Sequence, residues 1–286
     1  MYLITGSTGR TGSQIVKNLL KNNQSVTALI RSEKSKNVWQ NEGIKFQVSD
    51  FLDRENLINA FCDVKGVFLM IPTLAESNNI IRERALIIEN FVSAIIENNI
   101  KNVVVLSSIG AHLETGTGQV SGLYELENKL RNKGINIKSL RCSLFMENWL
   151  PFIKKSISSN QLDSFINPLN LLIDHVCTSD IALCATEYLL NNNELDVNVA
   201  VKGPEKLSAN IIANYLSNIN NIPINSNTIP KEKWAEIWKS MNWSDERINL
   251  YTEFFECINQ SKLIYDGSEI DWFGKVNMTQ YIKTIQ

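Results

Sequence analysis

The chain has 286 residues, 44% of them apolar, with 28 Lys and Arg against 30 Asp and Glu. A chain of this length and apolarity can bury a sizeable core, and its balanced charge, with no long basic run, excludes an electrostatic case for nucleic acid or an anionic membrane surface as partner. Five scattered cysteines (Cys62, Cys142, Cys177, Cys184 and Cys257) form no Cys-x-x-Cys pair, and only His112 and His175 could join them, so neither a disulfide framework nor a metal site is expected.

The first strand is expected at Met1 to Thr5, a short apolar run ending at glycines. Ile15, Val16, Leu19 and Leu20 then recur at helical spacing. Strands follow at Val26 to Ile30 and Ile44 to Val48, the latter leading into Ser49 and Asp50, with a short helix marked by Leu57, Ala60 and Phe61. Gly66 to Ile71 reads as a fourth strand stopped by Pro72, Ile87 to Asn98 as an amphipathic helix, and Val103 to Leu106 as a fifth strand ending at Ser107 and Ser108. Leu123, Leu126 and Leu130 mark another helix before a sixth strand at Ile137 to Arg141. Such alternation with short connections predicts an α/β fold: a doubly wound parallel sheet of Rossmann type, helices on both faces.

Beyond Pro151 the pattern loosens. Asp180 to Leu190 reads as a helix and Asn198 to Val201 as a strand returning to the sheet. The remainder from Pro204 is helix-rich and carries Trp234, Trp238, Trp243 and Trp272, candidates either for core or for an aromatic substrate pocket. The expected division is therefore a dinucleotide-binding domain over 1–150, with 175–202 rejoining it, and a smaller substrate lobe over 151–286. The Asn-rich patches at Asn191 to Asn193 and Asn218 to Asn227 read as loops. No room is left before the first strand for a signal peptide, and no apolar run approaches the ~18 residues of a membrane span, so a cytoplasmic protein is expected.

The glycines Gly6, Gly9 and Gly12 stand between the first strand and the first helix, the context in which a glycine triplet binds a dinucleotide. Their spacing is Gly-x-x-Gly-x-x-Gly, one residue wider than the usual Gly-x-Gly-x-x-Gly. Gly6 would allow the tight turn, Gly9 the approach of backbone to pyrophosphate, and Gly12 close packing of the helix. The loop residues Thr8 and Thr11 would surround phosphates held at the positive end of the helix, while Arg10 could stack on adenine or contact a 2′-phosphate. At the end of the second strand, where NAD-binding chains usually carry a carboxylate, stand Arg31 and Ser32, with Lys34 and Lys36 behind. A carboxylate would repel a 2′-phosphate, whereas Arg31 can clamp one, so NADP(H) is the expected cofactor. Asp50 and Phe51 end the third strand where adenine edges are held; Asp50 could instead cap the next helix.

These residues resemble the NmrA-like group of atypical short-chain dehydrogenase/reductases. The resemblance runs through the Gly6 to Gly12 loop, Arg31, Ser49 to Asp53, Phe68 to Pro72, Val103 to Ser108, Leu140 to Asn148, Thr178 to Ala182 and Gly203 to Ser208, nearly the whole chain in the family's order. Within the group it is most similar to reductases of the ergot-alkaloid type, on Gly118 to Val120 and Gly203 to Glu205. The resemblance implies NADP(H) at the glycine loop and Arg31, with nicotinamide near Ile71, Pro72, Ser107, Ser108 and Phe145, and a small-molecule substrate between the sheet edge and the C-terminal lobe. A homodimer is compatible with it.

Ordinary short-chain dehydrogenases use Tyr-x-x-x-Lys, whose spacing puts both groups on one helix face. Here Tyr124 is followed by Asn128 at the lysine position, while Lys129 lies about 140° around the helix from the tyrosine. Tyr124 and Ser108 are the candidate catalytic residues, with His112 as a loop histidine and Glu127 as a surface carboxylate. A missing Tyr/Lys pair suits hydride addition to an iminium, a quinone or an activated C=C, which needs no strong acid, and suits a ketone poorly. A non-catalytic NADP(H) sensor is the alternative, and an epimerase, which would keep the tyrosine, a weaker third.

Overall fold

The computed structural model describes residues 1–33, 35, 39, 44–191 and 195–285. Lys34 and Lys36, expected beside Arg31, and Asn192 and Asn193 of the first Asn-rich patch lie outside these residues. In chain order the elements are β1 (Tyr2–Ile4), α1 (Arg10–Lys21), β2 (Val26–Ile30), β3 (Lys45–Val48), α2 (Arg54–Ala60), β4 (Gly66–Leu69), α3 (Ile80–Glu97), β5 (Val103–Ser108), α4 (Ser121–Asn132), β6 (Ile137–Cys142), β7 (Leu144–Phe145) and α5 (Leu150–Ser159). They continue with β8 (Gln161–Ser164), β9 (Ile173–Val176), α6 (Thr178–Leu190), β10 (Val197–Lys202), β11 (Lys206–Leu207), α7 (Ala209–Asn220), β12 (Asn225–Thr228), α8 (Trp234–Ser240), α9 (Asp245–Asn259), β13 (Ile270–Phe273) and α10 (Met278–Ile285).

Eight strands form one parallel sheet in the order β13-β10-β6-β5-β4-β1-β2-β3. The expected α/β architecture is therefore present, and the order reverses between β1 and β4, the switch point at which open α/β sheets bind ligands. Apolar stripes explain the layers. Ile15, Val16 and Leu19 of α1 and Ile181, Ala185 and Leu189 of α6 cover one face. Leu57 of α2, Ile87, Ile88 and Phe91 of α3, and Leu126 and Leu130 of α4 cover the other.

β4 stops at Leu69 rather than Ile71 because the Met70 N–H leaves the ladder and donates to Thr5 Oγ1 at 2.7 Å. α3 starts at Ile80, a full turn and more before the expected Ile87, because its first N–H is received from outside the helix: Glu246 Oε2 of α9 accepts from Ile80 N at 2.5 Å. A cap supplied from a distant element leaves no mark in the local sequence.

The segment expected to form the C-terminal lobe packs, through α9, against the turn that opens α4. Gly118 (φ +57°), in the turn that opens α4, lies so close to the Leu250 carbonyl of α9 that no Cβ would fit. The lobe is not a clean unit, however. β13 leaves it and extends the sheet beside β10. Trp272 therefore lies in the sheet, its Nε1 donating to Glu187 of α6 at 2.8 Å, and does not belong to the lobe. Trp234 and Trp238 are buried and pack with Phe165 at centroid distances of 5.8 and 5.0 Å, while Trp238 stacks on Trp243 at 5.6 Å. These rings form a small aromatic core of their own.

His175 is 1% exposed and fully satisfied: Trp149 Nε1 donates to its Nε2 at 3.0 Å, and its Nδ1 faces the Ile173 carbonyl at 2.9 Å. That pairing requires the neutral ring with the proton on Nδ1. Burial pushes its pKa down to about 4, from an unfolded value near 6.5. Between those pH values the unfolded chain binds the proton and the folded one does not. Stability from this group is complete above about pH 6.5 and drains as pH falls toward 4, by about 3 kcal/mol. Denaturant titrations from pH 7 to 4 should show this slope, and His175→Gln should flatten it; an unchanged slope would mean that the histidine titrates normally.

No described helix is long and apolar enough to cross a membrane. Among the described residues no cluster of His, Cys, Asp and Glu could hold a metal ion. All five cysteines are free, four of them buried.

Candidate functional site

The glycine loop leaves β1 with Gly6 at φ +59°, a left-handed conformation that explains the glycine there. Its turn closes when Gly9 N–H donates to the Gly6 carbonyl at 2.9 Å. Two hydroxyls fasten it: Thr5 Oγ1 donates to Phe68 O at 3.0 Å, and Ser7 Oγ to Leu29 O at 3.0 Å, tying the loop to the strands on either side of β1. Gly12 permits a close approach, but to the loop, not to the strand: a Cβ would overlap the Gly6 carbonyl oxygen.

Gly9 caps α1 without a side chain, and no acidic residue occupies the first turn. The first helical hydrogen bond is Ser13 N–H to Gly9 O at 3.0 Å, so the N–H groups of Arg10, Thr11 and Gly12 lie ahead of the ladder. Donors and dipole together form an anion cradle. Thr8, Gly9 and Arg10 are exposed at its mouth, and Thr11 is buried. Arg31 stands exposed directly after β2, with Ser32 beside it. Uncapped helix, crowded glycines and a guanidinium in place of a carboxylate fit a 2′-phosphorylated dinucleotide.

The other expected cofactor residues divide. Asp50 is exposed at the end of β3, where its Oδ1 accepts the Leu52 N–H at 3.0 Å and turns its own loop; Asp53, not Asp50, caps α2 by accepting Asn56 N–H at 3.1 Å. The Phe51 ring is buried against Phe91 at 5.2 Å and packs in the core. Ile71, Pro72 and Phe145 are half-buried at the ends of β4 and β7. The Ser107 hydroxyl is turned away into the protein and donates to Glu127 Oε1 at 2.5 Å, while that of Ser108 donates to the neighbouring Ile109 carbonyl at 3.0 Å.

Tyr124 lies half-buried on α4. Asn128, at the lysine position, donates back to the Tyr124 carbonyl at 2.9 Å, and Lys129 pairs with Glu89 and Glu125. Neither Asn128 nor Lys129 is paired with the phenol. His112 is not a solvated loop histidine: it is mostly buried, its Nδ1 4.0 Å from Asp266 Oδ2.

Glu127 departs most from expectation. It is 1% exposed, not a surface carboxylate. Its oxygens accept from Ser107, Ser139, Arg131 Nη1 at 3.0 Å and Arg141 Nη2 at 2.9 Å. Arg141 reaches on to Asp266 at 3.0 Å and Glu269 at 2.8 Å. Burial alone would raise the Glu127 pKa, but the Arg141 hydrogen bonds and charge, with the two serine hydroxyls, hold it below the usual carboxylate range. The network fastens α4, β5, β6 and the segment before β13 beneath the site. Glu147, named only within the family motif, is a second buried carboxylate: Oε1 accepts Thr178 N at 2.9 Å and Thr178 Oγ1 at 2.6 Å at the start of α6, and Oε2 has no partner. Polar residues alternating along β6 (Ser139, Arg141) were the available signal for such a network.

The NmrA-like family profile matches residues 2–284. The NAD(P)H azoreductase of Xenophilus azovorans is 22% identical over 256 residues, 89% of this chain and 86% of that protein. Prestalk A differentiation protein A of Dictyostelium discoideum is 22% identical over 269 residues, 91% of this chain and 83% of that protein. Among solved structures, the Escherichia coli NADPH-dependent quinone oxidoreductase complexed with NADPH superposes with a TM-score of 0.85 at 17% identity, covering 100% of this chain and 99% of that one. The Citrobacter sp. triphenylmethane reductase complexed with NADP(H) gives a TM-score of 0.85 at 14% identity, covering 100% of both.

Proposed function

The chain belongs to the NmrA-like family, and from that premise we propose that it is an NADPH-dependent reductase of a small conjugated or cationic organic acceptor. The observation that carries the proposal is the uncapped start of α1 together with an exposed Arg31, and no carboxylate, directly after the neighbouring strand β2. Bound there, NADPH would supply a hydride. The chain would supply the rest: the N–H groups of Arg10, Thr11 and Gly12 would hold phosphate, Arg31 would hold the 2′-phosphate, and the Phe145 and Pro72 segments would stand on the nicotinamide side. With Asn128 at the lysine position, the Tyr-x-x-x-Lys proton-donor pair is missing. The acceptor must then take hydride without being protonated first, as quinones, azo compounds, cationic dyes and iminium ions do. The names of the azoreductase, quinone oxidoreductase and triphenylmethane reductase support conjugated acceptors of this kind, and the resemblance to the ergot-alkaloid reductases supports an iminium.

The test is NADPH consumption by purified protein against quinones, azo and triphenylmethane dyes, cyclic iminium ions and simple ketones. Turnover is expected with the first groups and not with ketones. Tight NADPH binding without turnover on any acceptor would favour the second reading, a redox sensor, for which Asn128 at the lysine position speaks. Arg31→Ala should weaken NADPH binding about 10- to 100-fold and leave NADH nearly unchanged, as loss of a charge-assisted clamp predicts. Equal losses for both cofactors would remove Arg31 from the 2′-phosphate site.

A further inference from the structure

Open α/β sheets bind ligands outside the carboxyl ends of their strands at the switch point, here between β1 and β4. The glycine loop leaves β1 on one side of that crevice, and residues 70–79 leave β4 on the other. The two loops touch where they begin. Met70 N–H donates to Thr5 Oγ1 at 2.7 Å, and the Met70 side chain lies over Gly6 so closely that a Cβ there would overlap its Cε. Ile71 and Pro72, the residues expected on the nicotinamide side, follow at once.

The rest of the β4–α3 loop is shaped from outside. Leu74 stands at φ +48°, a left-handed conformation that a leucine keeps only where its surroundings impose it. Thr73, Ala75, Glu76, Asn78 and Asn79 are exposed. Asn79, at the N-cap position of α3, makes no side-chain cap. The cap comes instead from the first turn of α9: Glu246 Oε2 accepts Ile80 N–H at 2.5 Å, and its Oε1 accepts Ile81 N–H at 3.4 Å. Two residues beside Glu246 reach the carbonyls of the loop. Ser244 Oγ donates to Ser77 O at 3.3 Å, and Arg247 Nη1 to Ala75 O at 3.5 Å. Arg247 is itself held in place, its guanidinium 3.8 Å over the Trp243 ring. The start of one helix, more than 160 residues away in the chain, thus meets carbonyls of the loop and the first N–H groups of the helix that follows it.

We propose that Glu246 is a positioning residue for the nicotinamide half of the cofactor: by capping α3 from α9 it sets the course of residues 71–79 along the crevice. The proposal rests on the NADP(H) reading and concerns a carboxylate that acts through the loop, not by contact with the cofactor. A loop strained at Leu74 and fastened by a distant element leaves its course when the fastening is removed. The apparent affinity of a ligand that needs the fastened loop then falls with the fraction that keeps it. The adenosine half, read at Arg31 after β2 on the far side of β1, does not depend on that fraction.

Calorimetric titration of Glu246→Ala with NADPH and with adenosine 2′,5′-bisphosphate tests it, since the second ligand keeps the 2′-phosphate and lacks the nicotinamide half. NADPH affinity should fall about 3- to 20-fold, the equivalent of one lost helix cap, and the bisphosphate should bind within about twofold of wild type. Glu246→Gln keeps one acceptor oxygen for the Ile80 N–H and should recover most of the loss. Hydrogen exchange at the amides of residues 73–81 should quicken in Glu246→Ala and slow again when NADPH is added. Unchanged NADPH affinity in Glu246→Ala overturns the proposal. So does an equal loss for both ligands, which would mark general support of the fold, and so does a glutamine variant no better than alanine. Wild-type protein that binds neither ligand overturns the cofactor reading and this proposal with it; wild-type binding with unaffected variants overturns this proposal alone.

Discussion

Glu127→Ala is expected to cost about 3–5 kcal/mol of folding stability, the range for removing one partner of a buried, hydrogen-bonded charge pair. The substitution leaves the Ser107 and Ser139 hydroxyls without their acceptor and strips the buried Arg141 guanidinium of one of its three carboxylates. Urea or guanidinium unfolding at pH 7 measures it, and a loss below about 1 kcal/mol would show that Asp266 and Glu269 compensate. Glu127→Gln should cost less, because it keeps the acceptor for the serines and removes only charge. The pH dependence has a definite sign. The folded-state pKa lies below that of the unfolded chain, so the contribution is complete above the ordinary glutamate range near pH 4.3 and is lost as pH falls below it. In Glu127→Gln that acid-limb loss should shrink.

Gly12→Ala is expected to weaken NADPH binding by about 100-fold or more. The added Cβ overlaps the Gly6 carbonyl and presses on the Ser7 amide, both rigid backbone, so the loop must move away from α1. That displaces the donors that define the anion cradle, and a misplacement on the order of 1 Å is enough to forfeit such contacts. Stability should fall by only about 1–3 kcal/mol, the usual cost of overpacking. Gly9→Ala is the graded comparison: its Cβ would stand 3.2 Å from the Gly6 oxygen and its φ of −83° suits any residue, so a smaller loss is expected. Circular dichroism with fluorescence titration separates the two effects, and near-native affinity in Gly12→Ala would remove the loop from the binding site.

The turn of the glycine loop was legible in the sequence; contacts made through distant neighbours were not. Gly6, Gly9 and Gly12 were readable because a missing side chain has a local meaning, a turn or an approach that any Cβ would obstruct. Arg31 was readable because the end of a strand next to the glycine loop has few places to point. The place of Ser107 at the end of β5 was legible, but that its hydroxyl turns toward α4 and Glu127 was not. Nor was the burial of the Phe51 ring, which is drawn into the apolar layer below, against Phe91. The anchoring of the last helix could not be singled out at all, because Asp180 and Glu205 bind backbone N–H groups about a hundred and about seventy residues away in the chain.

By itself the sequence determined the order of strands and helices along the chain, because hydrophobic period and glycine punctuation are local signals, and with them the parallel sheet and the glycine turn that opens α1. The tertiary structure alone decided where charge could be buried and which distant elements share an edge. Glu127 reads as a surface residue until Arg131, Arg141 and two serines surround it, and β13 reads as part of the lobe until β10 offers it an open edge. Helix and strand propensities are set within a few residues, whereas the free energy of a buried carboxylate is set by partners brought from anywhere in the chain.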